Sequence, residues 1–191
     1  MIMKKNFCAA LCGSAMLLLA ACNQTGADKA GGADKAAEMK SKYTALNDAF
    51  NSGKTEIIDS LLTPDCVDHS MDTSWHLPQG PAGLKQMIAD MRTTAPDLKN
   101  EIKHMAVDGD ILIAYGTVTG TNTGPMMGMP ATNKKWSSDF CDVVKFNNEM
   151  KMTDHWGVYD EMKMMKELGL MPSAPPPAAG KAGKADTVIV H

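Results

Sequence analysis

The chain has no excess of basic charge, no apolar run long enough to span a membrane, no zinc-type ligand cluster and no phosphate loop. Its 191 residues carry 19 Lys and Arg against 22 Asp and Glu, a formal net charge of −3. An acidic balance without a basic patch or recognition motif argues against nucleic acid as a partner. No group of His, Cys or carboxylates has zinc-ligand spacing. Nothing resembles a Ser-His-Asp set or a glycine-rich nucleotide loop. What remains open is proton chemistry without metal or cofactor, ligand binding, or protein interaction.

The apolar run from Phe7 to Ala21 follows Lys4 and Lys5. It is shorter than the roughly 20 residues a spanning helix needs, and it ends in small residues, as an export signal does. The sequence Leu19-Ala20-Ala21-Cys22 resembles a bacterial lipobox, in which the Cys is lipidated and becomes the mature N-terminus. Residues 1–21 are therefore read as a lipoprotein signal peptide and Cys22 as a membrane anchor, with an ordinary secretory signal as the alternative. Removing 1–21 deletes two lysines and no acid, leaving 17 basic against 22 acidic residues, a net charge of −5. Asn23 is not the Asp associated with inner-membrane retention in enteric bacteria. That points to the outer membrane, on its periplasmic side.

Residues 22–35 are rich in Gly, Ala, Asp and Lys and are expected to be a flexible tether. Residues 171–191, with Pro172, Pro175, Pro176 and Pro177, are expected to be a tail too polar to fold alone. Its last residues, 187–191, are a β-prone tip. The folded domain is then 36–170, an ordinary single-domain size. Of the cysteines, Cys8 and Cys12 leave with the signal. Cys66 and Cys141 remain, either bonded in an oxidising envelope or present as buried thiols.

Inside the domain the apolar spacing is first helical. Met39, Tyr43, Leu46 and Phe50 share one face. A second short helix carries Ile57, Ile58, Leu61 and Leu62, with Thr55 as its cap and Pro64 as its end. A loop through Cys66, His69, Trp75 and His76 follows. Pro81 then suits the first turn of a third helix that buries Leu84, Met87, Ile88 and Met91.

After Pro96 the period changes to that of strands: 98–107, 111–121, 135–146 and 151–159. Asp108-Gly109-Asp110 is a hairpin turn, because Gly supplies the positive φ such turns require. A last helical stretch, 161–168, ends at Gly169. Helices followed by an antiparallel meander predict an α+β fold. A curved sheet covered on one side by helices would enclose a pocket.

The segment from Asp108 to Asp160 carries the chemistry-bearing residues. Asp154-His155-Trp156 places a carboxylate and an imidazole beside a Trp on a strand. Strand alternation puts Asp154, Trp156 and Val158 on one face and His155, Gly157 and Tyr159 on the other. Only one of Asp154 and His155 faces the enclosed side, and the expectation here is Asp154.

Together these pieces resemble the SnoaL-like polyketide cyclase (ester cyclase) family of the nuclear-transport-factor-like superfamily. The matching residues are Val67-Asp68-His69, Gly80-Pro81-Ala82-Gly83-Leu84, Pro96-Asp97-Leu98, Asp108-Gly109-Asp110 and Gly120-Thr121-Asn122-Thr123-Gly124. They continue with Gly128-Met129-Pro130-Ala131-Thr132, Asp142-Val143-Val144-Lys145-Phe146, Asp154-His155-Trp156 and Leu168-Gly169-Leu170. The resemblance covers roughly 36–170.

It implies a cone-shaped, curved antiparallel sheet with helices on one face around a mostly apolar pocket. It also implies cofactor-independent ring closure by a late-strand carboxylate assisted by a loop histidine, roles that fall on Asp154 and His69. Homodimers through the open sheet face are a further implication. The chain departs from the family pattern at Asn122, where a His is usual, at Asp154 for Glu, at Lys145 for Arg, and at Asn147-Asn148-Glu149 for the common turn. These leave the fold in place and put the substrate in question.

Each candidate also has a structural reading. Asp154 can abstract a proton next to a carbonyl only if its pocket raises its pKa, whereas a depressed value favours a binding or structural role. His69 can donate to a developing enolate oxygen or simply bond to backbone; His76 and His104 stay unassigned. Trp75, Tyr115, Trp136, Phe140 and Trp156 can line a pocket for a small apolar carbonyl compound, or serve as core aromatics.

The chain has 17 methionines. Clusters at Met126-Met127-Met129 and Met162-Met164-Met165 are soft enough for Cu(I), but the helical spacing of Met162 and Met165 reads as packing. Enzyme and non-catalytic ligand-binding or interaction module both remain open, since fold alone does not separate them.

Overall fold

The computed structural model describes residues 24–71, 76–126 and 128–171, with side chains of the first helix described from residue 32 on. The signal segment 1–21, Cys22, Trp75, Met127 and the tail 172–191 lie outside the described residues. Among the described residues no helix is long and apolar enough to cross a membrane.

The elements run α1 (Gln24–Ser52), α2 (Ile58–Leu61), β1 (Leu62–Asp68), α3 (Gly80–Thr94), β2 (Lys99–Asp108), β3 (Ile111–Thr121), β4 (Lys135–Phe146), β5 (Met152–Tyr159) and α4 (Glu161–Leu168). The strands form one sheet in the order β1-β5-β4-β3-β2. The architecture is α+β, an open curved sheet with helices against one face, as expected.

Three expectations need correction. The stretch 22–35 is helical from Gln24 onward rather than a tether. Ala and Lys are good helix formers, and the helix nucleated on the packed face at Met39 extends back through them. The second correction is β1, which lies where a loop was expected and pairs parallel to β5. The sheet is therefore not wholly antiparallel. Pro64 sits inside β1, and β1 is an edge strand, where a missing N–H is tolerated. The second helix is also shorter than its apolar spacing suggested. It is preceded by Ile57 without a side-chain cap, and Leu62 already belongs to the strand.

The turns follow their chemistry. Asp108 and Ile111 are ladder partners, so Gly109 and Asp110 form a two-residue loop, with Gly109 at φ 62°. A primed turn matches the strand twist and needs that positive φ. Asp160 accepts from the Lys163 amide at the start of α4, and Gly169 ends that helix in the left-handed region at φ 74°.

In β4 the even-numbered residues are buried and the odd-numbered ones are not. The even side is the helix-covered, inner face. Met39, Tyr43, Leu46 and Ala49 of α1 pack there with Leu112, Ala114, Val144 and Phe146. A second apolar cluster joins Leu98, Val118, Trp136, Phe140 and Leu168. Between the two clusters, on the same inner face of β4, lies Asp142, whose side chain is mostly buried.

Candidate functional site

Asp142 faces small cross-strand neighbours, Ala114 on β3 and Gly157 on β5. Its Oδ2 accepts a 2.6 Å hydrogen bond from the Tyr43 hydroxyl on α1. Its Oδ1 is buried without a hydrogen-bond partner and lies 3.4 Å from Nε2 of His155. The other ring nitrogen of His155, Nδ1, is 3.2 Å from Oδ1 of Asp68. That oxygen also accepts from the amide and hydroxyl of Ser70, at 2.9 and 2.7 Å. The result is a line of Asp68, His155, Asp142 and Tyr43 across the enclosed face, in the seam between two apolar clusters.

The electrostatics follow from that geometry. Burial pulls the His155 imidazole down, but the hydrogen bonds and charges of Asp142 and Asp68 outweigh it and hold the ring at about 9. Both ring nitrogens then carry protons at neutral pH. Asp68 is pushed up by burial yet falls to about 2, because His155 and Ser70 stabilise its charge. Burial and the neighbouring Asp142 push the Tyr43 phenol far up, so it serves as a donor only. Tyr159 tilts over Phe140 at a ring separation of 6.4 Å.

Asp154 and His69 also meet, but on the other face of the sheet. Asp154 pairs with Lys145 across β4–β5, on the odd-numbered side. The expectation that Asp154 faces the enclosed side is thus corrected: His155 does. His69 Nε2 lies 2.9 Å from Asp154 Oδ1, and the His69 ring stacks on Trp156 at 4.4 Å and 4°. Their side chains are 39% and 27% exposed. The hydrogen bond from His69, followed by that from Thr153, lowers the Asp154 carboxyl. A depressed carboxylate is a weaker base.

The two pairs come from one register. Val67 is opposite Asp154 and Asp68 opposite His155, so successive residues of β1 serve successive faces of the sheet.

The aromatic residues expected to line one pocket are divided between the faces. Trp136 and Phe140 are buried in the inner core, while Tyr115 and Trp156 lie on the outer face, each 38% exposed. His104 stacks on Tyr115 on that outer side, and His76 sits at φ 54° in the loop before α3. An open cleft of about 490 Å³, lined by Asp97, Thr121, Lys135 and Glu167, lies at the far ends of β3 and β4. It holds none of the linked acid/base groups of the Asp68–His155–Asp142–Tyr43 line.

Sequence reasoning missed Asp142, Asp68 and Tyr43. The alternating pattern of β4, with an Asp on its apolar side, was the available signal for the first.

Among the described residues no group of three His, Cys, Asp or Glu is arranged to hold a metal ion. Met126 and Met164 pack against the second apolar cluster, as methionines that fill gaps do. Cys66 and Cys141 are both free. Cys66 belongs to the inner core and Cys141 to the outer side of β4, with β5 between their strands.

Comparison with known proteins decides the family. The model of the SnoaL-like polyketide cyclases matches residues 40–168. The chain belongs to this family. A nogalonic acid methyl ester cyclase from Streptomyces nogalater is 25% identical over 127 residues, covering 63% of this chain and 90% of that enzyme. TsrD from Streptomyces laurentii superposes with a TM-score of 0.64 at 23% identity, covering 71% of this chain and 97% of TsrD. A candidate polyketide cyclase from Bacillus cereus gives a TM-score of 0.60 at 27% identity, over 71% and 83% of the two chains. In this SnoaL-like protein the helix-covered face of the sheet carries Asp68, His155, Asp142 and Tyr43. The family suggests cofactor-independent cyclase or isomerase chemistry.

Proposed function

We propose that this SnoaL-like domain performs cofactor-independent acid/base chemistry, of the cyclase or isomerase kind, on a small carbonyl compound bound at the Asp142–His155 site. The observation that carries this reading is the mostly buried pair of the Asp142 carboxylate and the protonated His155 imidazole, Oδ1 lying 3.4 Å from Nε2. Asp142 takes a proton from the carbon next to the carbonyl. His155, charged on both nitrogens, supplies the positive partner for the developing enolate oxygen through Nε2. Asp68 and Ser70 fix the ring and keep it charged. Tyr43 holds Asp142 in place through its 2.6 Å hydrogen bond. The S. nogalater relative, named for cyclising a methyl ester, is a precedent for carbonyl substrates in this fold.

The pair Asp154–His69 supports a second reading of the same chemistry, since its hydrogen bond is short. Its exposure and the lowered Asp154 carboxyl weigh against it. A non-catalytic ligand-binding module is the alternative from another class.

The test is native mass spectrometry and product analysis of small molecules co-purified from the source cell, with the wild type beside Asp142→Asn and Asp154→Asn. The reading expects rearranged product on the wild type and on Asp154→Asn, and unrearranged carbonyl compound on Asp142→Asn. Loss of conversion in Asp154→Asn alone would move the chemistry to the outer pair. The same unaltered ligand on all three would make the domain a carrier.

We further propose that Cys22 is lipidated and anchors the domain to the periplasmic side of the outer membrane, on the strength of Leu19-Ala20-Ala21-Cys22. Labelled palmitate entering the protein, and not its Cys22→Ser variant, tests this. The open sheet face, with Ile113, Tyr115, Trp156 and Val158 exposed, supports a homodimer. Sedimentation of the wild type beside Trp156→Glu tests that.

A further inference from the structure

Strand β1 is joined to β5 only briefly where it delivers Asp68. The register slips between Leu62 and Val67, and pairing returns at Val67 and Asp68. The His69 amide adds one more bond, 2.8 Å to the carbonyl of His155. Along a strand, successive residues point their N–H and C=O groups to opposite sides. His69 bonds towards β5, so the backbone of Asp68 faces the other way, to the free edge of β1.

One side chain holds both backbone groups there. Oε1 of Gln79 accepts from the Asp68 amide at 2.7 Å, and Nε2 of Gln79 donates to the Asp68 carbonyl at 3.3 Å. The carboxamide stands where a further strand would pair. Gln79 is itself fixed, because it immediately precedes α3. Its neighbour Gly80, at φ 77°, lies so near β1 that a Cβ would come 2.5 Å from the Pro64 carbonyl oxygen. Asp68 is therefore clamped from outside while its carboxylate meets Nδ1 of His155 and Ser70.

We propose that Gln79 is a positioning residue of this site: by bridging both backbone groups of Asp68 it holds the Asp68 carboxylate on His155. The proposal rests on the reading of the inner network as the functional site and adds a residue that acts on it through Asp68. Without the clamp, a pairing two residues long is left to keep the end of β1 in place, and the 3.2 Å contact to His155 loosens. The far edge of the sheet carries the same clamp on a residue that does not ionise. Asn51 bridges Asn100 of β2, its Oδ1 accepting at 2.7 Å and its Nδ2 donating at 3.0 Å.

The experiment follows the titration of His155 by carbon-13 and nitrogen-15 NMR in the full chain. Gln79→Met keeps the length of the side chain and removes both hydrogen bonds. The other groups facing the ring, Asp142 of β4 with Tyr43 of α1 behind it, stay as they are. The imidazole, held at about 9 in the wild type, should titrate about one pH unit lower, the low end of what a nearby opposite charge contributes. Asp68→Asn should lower it at least as far. Gln79→Met should add nothing in the Asp68→Asn background, since residues acting through one contact are not additive. Asn51→Leu should lose comparable stability in urea and leave His155 where it is.

A His155 titration unmoved by Gln79→Met would overturn the proposal. So would a further fall in the double variant, or an equal fall in Asn51→Leu, which would make the effect one of general stability. If Gln79→Met does not fold, Gln79→Asn, one methylene too short to span both groups, is read against the same outcomes. Conversion of the co-purified compound is followed alongside. His155 lowered with conversion unchanged supports the positioning role and sinks the catalytic reading. Conversion lost in Asp142→Asn, with His155 unmoved in Gln79→Met, does the reverse.

Discussion

Asp68 and His155 sit opposite each other across the parallel β1–β5 pairing, with Oδ1 of the one 3.2 Å from Nδ1 of the other. This contact joins an edge strand near the start of the domain to a strand near its end, and it sets the charge state of the enclosed site. The imidazole is raised to about 9 while the carboxyl is lowered to about 2.

The pH dependence of stability follows from these directions. A raised His contributes stability that is fully present below its unfolded value, near 6.5, and lost as pH rises through about 9. The lowered Asp68 contributes stability present above about 4 and lost as pH falls towards about 2. Thermal unfolding should therefore show a plateau near pH 5–6 that declines above it. His155→Gln should remove the alkaline decline and cost about 3 kcal/mol at pH 6, the lower end for losing one partner of a buried pair. A variant with the wild-type pH slope would contradict this.

Tyr43→Phe removes one hydroxyl and leaves the ring packed against the core. The lost hydrogen bond to a charged group should cost about 1.5–3 kcal/mol in urea unfolding. An unchanged unfolding midpoint in urea would contradict a structural role for that hydroxyl.

The outer pair is expected to matter little to stability. His69 and Asp154 are partly exposed, and such pairs contribute about 0.2–1 kcal/mol. His69→Ala should stay in that range by chemical denaturation and leave conversion of the co-purified compound within about threefold, as loss of an exposed pair allows. A large loss of conversion would return the catalytic role to this face.

Gly109→Ala isolates a backbone effect. Nothing lies within 4 Å of the added methyl, so only the positive φ of 62° resists it. The expected cost is about 1–2 kcal/mol, that of a left-handed non-glycine residue. Equilibrium unfolding reads it directly, and an unchanged midpoint would mean the turn adopts another form.

The two domain thiols should react unequally. Burial, with the charges of Asp154, Asp68 and Asp65, pushes the Cys66 thiol up to about 12. Alkylation followed by peptide mapping at pH 8 should label Cys141 in the folded protein and Cys66 only on unfolding. A Cys66–Cys141 cross-link in the non-reduced digest would contradict the placement on opposite faces of the sheet.

Much of the fold is legible in local signals. The strands 111–121 and 135–146 and the helix 161–168 lie where alternation, Asp-Gly turns and the Gly169 stop place them. These signals are short-range, so one sequence carries them whole. β1 is not legible in that way. Pro64 argues against a strand, and the partner that makes Leu62–Asp68 one is roughly ninety residues away, at Met152–Tyr159.

The site is legible only in part, and for the same reason. By itself the sequence determined that Asp154, Trp156 and Val158 share one side of β5 and His155, Gly157 and Tyr159 the other, because side chains on a strand alternate strictly. Alternation has no sign: each set holds both ionisable and aromatic character, so neither is the obvious interior. Only the tertiary structure decided it. Helix α1 covers the even-numbered side of β4, and the register of β5 against β4 and β1 then turns His155 inward, between Asp142 and Asp68, and leaves Asp154 with His69 and Trp156 outside.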